Sequence, residues 1–349
     1  MKKFTMILTC VIALAIICVS FTGCSLVKNM DDINAHKQRQ EDIKKAEEQM
    51  AQTVMIINGD IEVSGGYYGY FFSNEYNSQY QQAADALEAS SSADSSAMPE
   101  VDTELVMANA EKTIAEIRLP YLKAVEAGLV LTKQDKNVIK QQLNSLKSQT
   151  SQQGINFTDY LYLMNTNETY LNQILEEEYL GNKYFASLMA DSYATTKHIF
   201  VSFEDSEKTK DEAIAMAKEI KAELDKGADF DKLMNEKSQD ARDTDGNLIN
   251  KDGNTFSLLS EQSNSYVDAA LELAEGEISD VIVDDTINGC YIIKKLPLNL
   301  SDVTYSLVTS ETESLESIFA STELDAITEG VKFETTDKIN YYTEIYKAN

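Results

Sequence analysis

The hydrophobic period of this chain changes at Thr196, and no other feature constrains the fold as strongly. Before it, residues 102–190 place Leu105, Ala108, Ile114 and Ile117 near helical spacing and show no strand pattern. Pro120 is expected to break or kink that run, and Gly128 to close the next helix. Thr132 with Asp135 three residues on reads as a capping box. After the change, Lys197-His198-Ile199-Phe200-Val201-Ser202-Phe203 alternates as a strand does. Residues 209–226 then carry Ala213, Ala217, Ile220 and Leu224 on one helical face, ended by Gly227. Phe230, Leu233 and Met234 mark a second short helix, 240–254 a polar loop, and 266–273 a third helix. Val281-Ile282-Val283 and Tyr291-Ile292-Ile293 are strands, with Gly289 at the turn and Pro297 closing the module. The order β-α-α-α-β-β defines an α+β module over 196–297.

The flanks read differently. Residues 53–195 form a helical lobe entered through Val54-Met55-Ile56-Ile57-Asn58-Gly59-Asp60-Ile61-Glu62-Val63, two apolar strands around an Asn-Gly turn. Tyr67, Tyr68, Tyr70, Phe71 and Phe72 then open a helix against the core, a client-binding surface being the alternative for this aromatic cluster. The serine-rich stretch within 83–100 reads as a flexible loop. In the tail, 298–349, Leu315, Ile318, Phe319 and Leu324 make one more helix, and 341–346 a last strand or helix. The tail is expected to pack on the N-terminal lobe, which leaves 196–297 as an insert.

Residues 1–23 read as an export signal: Lys2 and Lys3, an apolar run from Met6 to Val19, then Phe21-Thr22-Gly23 before Cys24. This end resembles the bacterial lipobox, which implies lipidation of Cys24 and a location on the extracytoplasmic face of the cell membrane. Residues 24–52 are polar and serve as a tether. A net charge of −28, from 58 acidic and 30 basic residues, excludes nucleic acid as a partner. With Cys10 and Cys18 in the signal and Cys24 acylated, Cys290 has no partner and no structural disulfide is expected. Two histidines, His36 and His198, rule out a multi-histidine metal site, and no metal or other cofactor is expected. Read alone, His198 is a core residue in an apolar strand, and Asp240 belongs to a solvated acidic loop with Asp243, Asp245 and Asp252. A calcium-loop reading fails because Ala241 would take the first ligand place.

His198-Ile199-Phe200-Val201, Gly227-Ala228-Asp229-Phe230, Ser238-Gln239-Asp240, Ala269-Ala270-Leu271, Gly276-Glu277-Ile278-Ser279 and Gly289-Cys290-Tyr291-Ile292-Ile293 resemble the parvulin pattern in order and spacing. Parvulins are peptidyl-prolyl cis–trans isomerases. With the lipobox and the Ile57-Asn58-Gly59 start, the chain is similar to PrsA-type foldase lipoproteins and SurA-type chaperones. That implies a helical chaperone lobe made by the N- and C-terminal segments, with an inserted, FKBP-like parvulin domain. The resemblance makes His198 the centre of the site and sets Asp240 near the substrate carbonyl. Tyr266 becomes a wall of the proline pocket, with Gln262 beside it and Asn288 at a hydroxyl position. Tyr291 falls where a second histidine normally stands, and its hydroxyl can donate to His198. The family's Gly-Gly-Asp-Leu-Gly loop is reduced to Asp252-Gly253-Asn254-Thr255-Phe256.

The resemblance implies a membrane-anchored foldase that isomerises Xaa-Pro bonds, with unfolded or newly exported polypeptides as partners and the membrane reached through the N-terminal lipid. The oligomeric state is left open, a dimer included. The alternative is a holdase chaperone of the same fold with weak or no catalysis. A solute-binding lipoprotein is disfavoured, because residues 100–190 lack repeating strand–helix units.

Overall fold

The computed structural model describes residues 33–89, 99–204, 209–257, 264–303 and 315–347. The signal segment, Cys24 and Gln262 lie outside them. The chain groups into two compact units: the described part of Thr9–Tyr184 with Thr322–Asn349, and Phe185–Ser321.

The first unit begins with α1 (Ile33–Met50), β1 (Thr53–Ile57), β2 (Ile61–Ser64) and α2 (Gly65–Ala89). The β1–β2 hairpin turns at Asn58 and Gly59, both at positive φ, which the Asn-Gly pair tolerates at little cost. Then come α3 (Thr103–Glu126), α4 (Lys133–Gln152), α5 (Phe157–Leu163) and α6 (Glu168–Leu188). Pro120 does not end a helix; it lies buried inside α3. The capping box forms as the spacing predicts: the Thr132 hydroxyl accepts from Asp135 N–H while the Asp135 carboxylate accepts from Thr132 N–H. The aromatic run of α2 supplies the core, where Tyr67, Tyr68 and Phe72 pack with Ile114, Leu161, Leu171 and Ile174.

The second unit holds β3 (Tyr193–Ser202), α7 (Lys210–Asp225), α8 (Phe230–Lys237), β4 (Asn254–Ser257), α9 (Ser265–Glu272), β5 (Ile282–Asp284) and β6 (Gly289–Leu296). Its sheet has the order β4-β3-β6-β5, all neighbours antiparallel. The strand β4 starts at Asn254, where the predicted polar loop ends, in residues for which no strand is expected; Asn254-Thr255-Phe256-Ser257 is too short and polar to announce itself. The predicted face of α7 is buried at Ala213, Ala217, Ile220 and Leu224. It covers one side of the sheet with α8, against Ile199, Val201, Cys290 and Ile292. At Gly289 a Cβ would run into the Phe200 ring, so glycine is required there for close approach.

The tail adds α10 (Leu315–Thr328), β7 (Phe333–Thr335) and α11 (Asn340–Lys347). β7 pairs antiparallel with β1, making the sheet β2-β1-β7. Tyr342 of α11 lies in the same core as Tyr68, its ring 5.6 Å away and edge-on. The N- and C-terminal segments therefore build one helical lobe through main-chain pairing and a shared aromatic core.

Candidate active site in the second unit

Period two sorts the residues of β3. His198 lies opposite Ile293, and Phe200 opposite Tyr291, on paired strands. Directly opposed residues share a face, so His198, Phe200 and Tyr291 stand together while Ile199 and Val201 enter the core behind. The start of α9 brings Tyr266 to the same face. Asn264 caps that helix, accepting from the N–H groups of Tyr266 and Val267. Next to it, Ser265 Oγ donates to Asp284 Oδ2 at 2.7 Å, and Asp284 is held in turn by the N–H and hydroxyl of Thr286. α9 is thereby tied to the β5–β6 turn.

Asp240 arrives by a different route. Beyond the reach of β4, the edge of β3 is taken by the 238–240 segment. Gln239 N–H donates to Phe200 O at 2.8 Å, Phe200 N–H donates to Ser238 Oγ at 3.0 Å, and Ser202 N–H donates to Gln239 Oε1 at 2.8 Å. The Arg242 guanidinium closes the following loop on the carbonyls of Asn235 and Gly246.

The result is a hydrogen-bonded row. His198 Nε2 is 3.1 Å from Asp240 Oδ2, and His198 Nδ1 is 3.0 Å from the Tyr266 hydroxyl. That hydroxyl is 2.7 Å from Thr196 Oγ1. Aromatic edges surround the row. Tyr291 is 5.0 Å from His198 at 79° and 5.0 Å from Tyr266 at 81°, with Phe256 beyond at 6.1 Å from Tyr266. The side chains of His198 and Asp240 keep 18% and 29% of their exposure, so the face is open to a ligand. The His198 hydrogen bond holds the Asp240 carboxyl below the usual carboxylate range, against its partial burial. Burial pushes the Tyr266 phenol up to about 12 and raises Tyr291 as well, so both carry their protons near neutral pH. Among the described residues no group of acidic, histidine or cysteine side chains could hold a metal ion.

Of the residues singled out in the sequence, His198, Asp240, Tyr266 and Tyr291 come together. Asn288 does not join them. It occupies the β5–β6 turn at positive φ, where its side chain donates to Glu204 Oε1 at 2.9 Å. Tyr291 touches His198 edge-on, but the phenol that hydrogen-bonds the imidazole among the described residues is that of Tyr266. Cys290 is buried on the opposite face of the sheet, with its thiol raised by burial, which rules out a pairing with His198. The sequence reading assigns no site role to Thr196 or Asp284, and takes Ser238 and Gln239 only as part of the segment that carries Asp240. Thr196 alone had a usable signal, since it lies two residues before His198 on the same strand face.

Residues 198–296 match the family described as Rotamase: PPIC-type PPIASE domain. This segment of the second unit is thus a parvulin-type peptidyl-prolyl isomerase domain. Among solved structures the chain is similar to PrsA from Bacillus subtilis, with 19% identity over 72% of this chain and 90% of that one, at a TM-score of 0.24. It is also similar to the peptidylprolyl isomerase PrsA of Bacillus anthracis (21% identity, 68% and 96% covered, TM-score 0.24) and to that of Bacillus cereus (19%, 71% and 86%, 0.25). No curated protein matches the chain.

Proposed function

We propose that the chain is an extracytoplasmic foldase, anchored through lipid on Cys24, that isomerises Xaa-Pro bonds in newly exported proteins. The observation that carries the isomerase part is the aromatic-walled, half-open row His198–Asp240–Tyr266 within a matched rotamase domain. The anchor rests on Phe21-Thr22-Gly23-Cys24. Among the described residues no helix is long and apolar enough to cross a membrane.

Rotation about Xaa-Pro faces a barrier of about 18–20 kcal/mol because the planar amide is resonance-stabilised. That resonance puts partial negative charge on the carbonyl oxygen. In this reading the pyrrolidine packs against Tyr266, Tyr291 and Phe256, and the carbonyl lies near Asp240. An ionised carboxylate there disfavours the charge-separated planar form more than the twisted one, in which conjugation is lost. Only such preferential stabilisation raises the rate, tenfold for each ~1.4 kcal/mol. His198 holds Asp240 ionised and in place. No covalent bond, cofactor or ATP is needed.

A protease-coupled or exchange-NMR assay on Xaa-Pro peptides tests this. His198→Ala and Asp240→Ala are each expected to lower kcat/KM by at least about tenfold. Absence of turnover on every peptide would refute the isomerase part. Metabolic labelling with a fatty acid, lost in Cys24→Ser, tests the anchor.

A further inference from the structure

We propose that Thr196, acting through the Tyr266 hydroxyl, is a positioning residue that fixes the orientation and tautomer of His198. With the imidazole neutral, the proton inventory of the row has one consistent solution. An ionised Asp240 has no proton to give, so the proton between it and His198 sits on Nε2. A neutral imidazole protonated on Nε2 has a bare Nδ1, which can only accept. The donor within reach is the Tyr266 O–H at 3.0 Å. A phenol oxygen that has given its proton still accepts, and the Thr196 hydroxyl stands 2.7 Å away to donate. The row therefore runs Thr196 → Tyr266 → His198 → Asp240, with every bond in one direction, an arrangement in which successive hydrogen bonds polarise one another.

The backbone makes Thr196 a firm origin for that row. It is buried in β3, which is paired with β4 on one side at Asn254 and with β6 on the other at Lys295. His198 follows two residues on, so one strand carries both the first donor and the imidazole, while Tyr266 spans from α9 between them. The same phenol ring is a wall of the cleft. Tying its hydroxyl to Thr196 sets the wall and the imidazole in one geometry. The imidazole thus receives from Tyr266 the hydrogen bond that the sequence pattern suggested for Tyr291.

The kinetic arm of the test rests on the isomerase reading; the spectroscopic arm does not. The full chain is prepared as wild type, Thr196→Val, Thr196→Ser, Tyr266→Phe and the Thr196→Val/Tyr266→Phe double variant. On an Xaa-Pro peptide, Thr196→Val is expected to lower kcat/KM about three- to tenfold, and Thr196→Ser to restore most of the loss. Tyr266→Phe loses at least as much, and Thr196→Val adds nothing in that background. In parallel, ¹⁵N NMR of the His198 ring at alkaline pH should show Nε2 protonated. The Nδ1 resonance should move toward that of a bare ring nitrogen in Tyr266→Phe, and by a smaller step in Thr196→Val. The inference is overturned if Thr196→Val leaves both kcat/KM and the Nδ1 resonance at wild-type values, or if its cost persists undiminished in the Tyr266→Phe background. A wild type inactive on every peptide would sink the isomerase reading, while the Nδ1 steps would still decide this one.

Discussion

Tyr68 and Tyr342 in the helical lobe, and Tyr266 in the rotamase domain, show how one residue type serves two ends. The lobe tyrosines are almost fully buried, and their hydroxyls have no hydrogen-bond partner among the described residues. They contribute ring volume and edge-to-face contacts, at the cost of desolvating an O–H. Tyr266 is only half-buried, and its hydroxyl is bonded on both sides, to Thr196 and to His198. There the polar end matters and the ring doubles as a wall. The charged pairs divide in the same way. Glu177 is buried in the lobe with Arg118, Tyr67 and Gln173 as partners, whereas the Asp240 side chain beside His198 keeps 29% of its exposure. The Glu177 carboxylate holds a core together; that of Asp240 is left within a ligand's reach.

The largest effects should separate the regions by stability. Tyr68→Ala is expected to cost about 3–5 kcal/mol in chemical denaturation of the lobe, because the helices around it cannot collapse onto the space. Arg118→Met should cost about 3–5 kcal/mol as well, by leaving the Glu177 carboxylate buried without its cation. Equal stability of these variants and wild type would break the distinction. His198→Ala, by contrast, should reduce turnover strongly while changing the denaturation midpoint little.

Next in size is a pair of matched helix caps. Thr132 and Thr209 both form capping boxes, with Asp135 and Glu212 as the reciprocal acids. Thr→Ala at either should cost about 1 kcal/mol. Asp135→Ala should cost more than Glu212→Ala, because buried Asp135 also accepts from Lys183 Nζ at 2.7 Å and from the Tyr179 hydroxyl.

The smallest effects probe the hydroxyls and the carboxyl. Tyr68→Phe should leave lobe stability unchanged or raise it by up to about 1 kcal/mol, since the lost O–H had no partner. Tyr266→Phe should lower that of the domain. Asp240 titrates below its ordinary value in the folded chain. Its contribution to stability is therefore fully present above the unfolded-state pKa of about 3.9 and is lost as pH falls through the lower folded value. His198→Ala removes the main cause of that depression, so ¹³C NMR should find the Asp240 carboxyl titrating at higher pH in the variant. An unmoved midpoint would break the His198–Asp240 link.

Much of this molecule is legible residue by residue because its signals are local. Asn58-Gly59 dictates a turn, Thr132 and Thr209 dictate helix starts, and the Ala213-Ala217-Ile220-Leu224 stripe dictates which side of α7 is buried. Each acts within a few residues of itself. His198, Asp240, Tyr266 and Tyr291 could be singled out because their segments keep a recognisable order and spacing. Of the break or kink read at Pro120, the break does not occur: a local breaker is overridden by packing, where the backbone of Gly181 comes up close against it.

What the chain could not announce is pairing at a distance. β7 finds β1 across most of the chain, and β4 finds β3, through main-chain bonds that hardly depend on side-chain type. The Thr196–Tyr266 contact joins residues on separate elements, and the edge docking of Ser238 and Gln239 sets Asp240 beside the imidazole. Amino-acid order alone determined the helices, the turns and the list of chemically able side chains. Only the tertiary structure decided which phenol meets His198, because a hydrogen bond needs its two atoms within about 3 Å, and the folding of α9 over the sheet sets that distance.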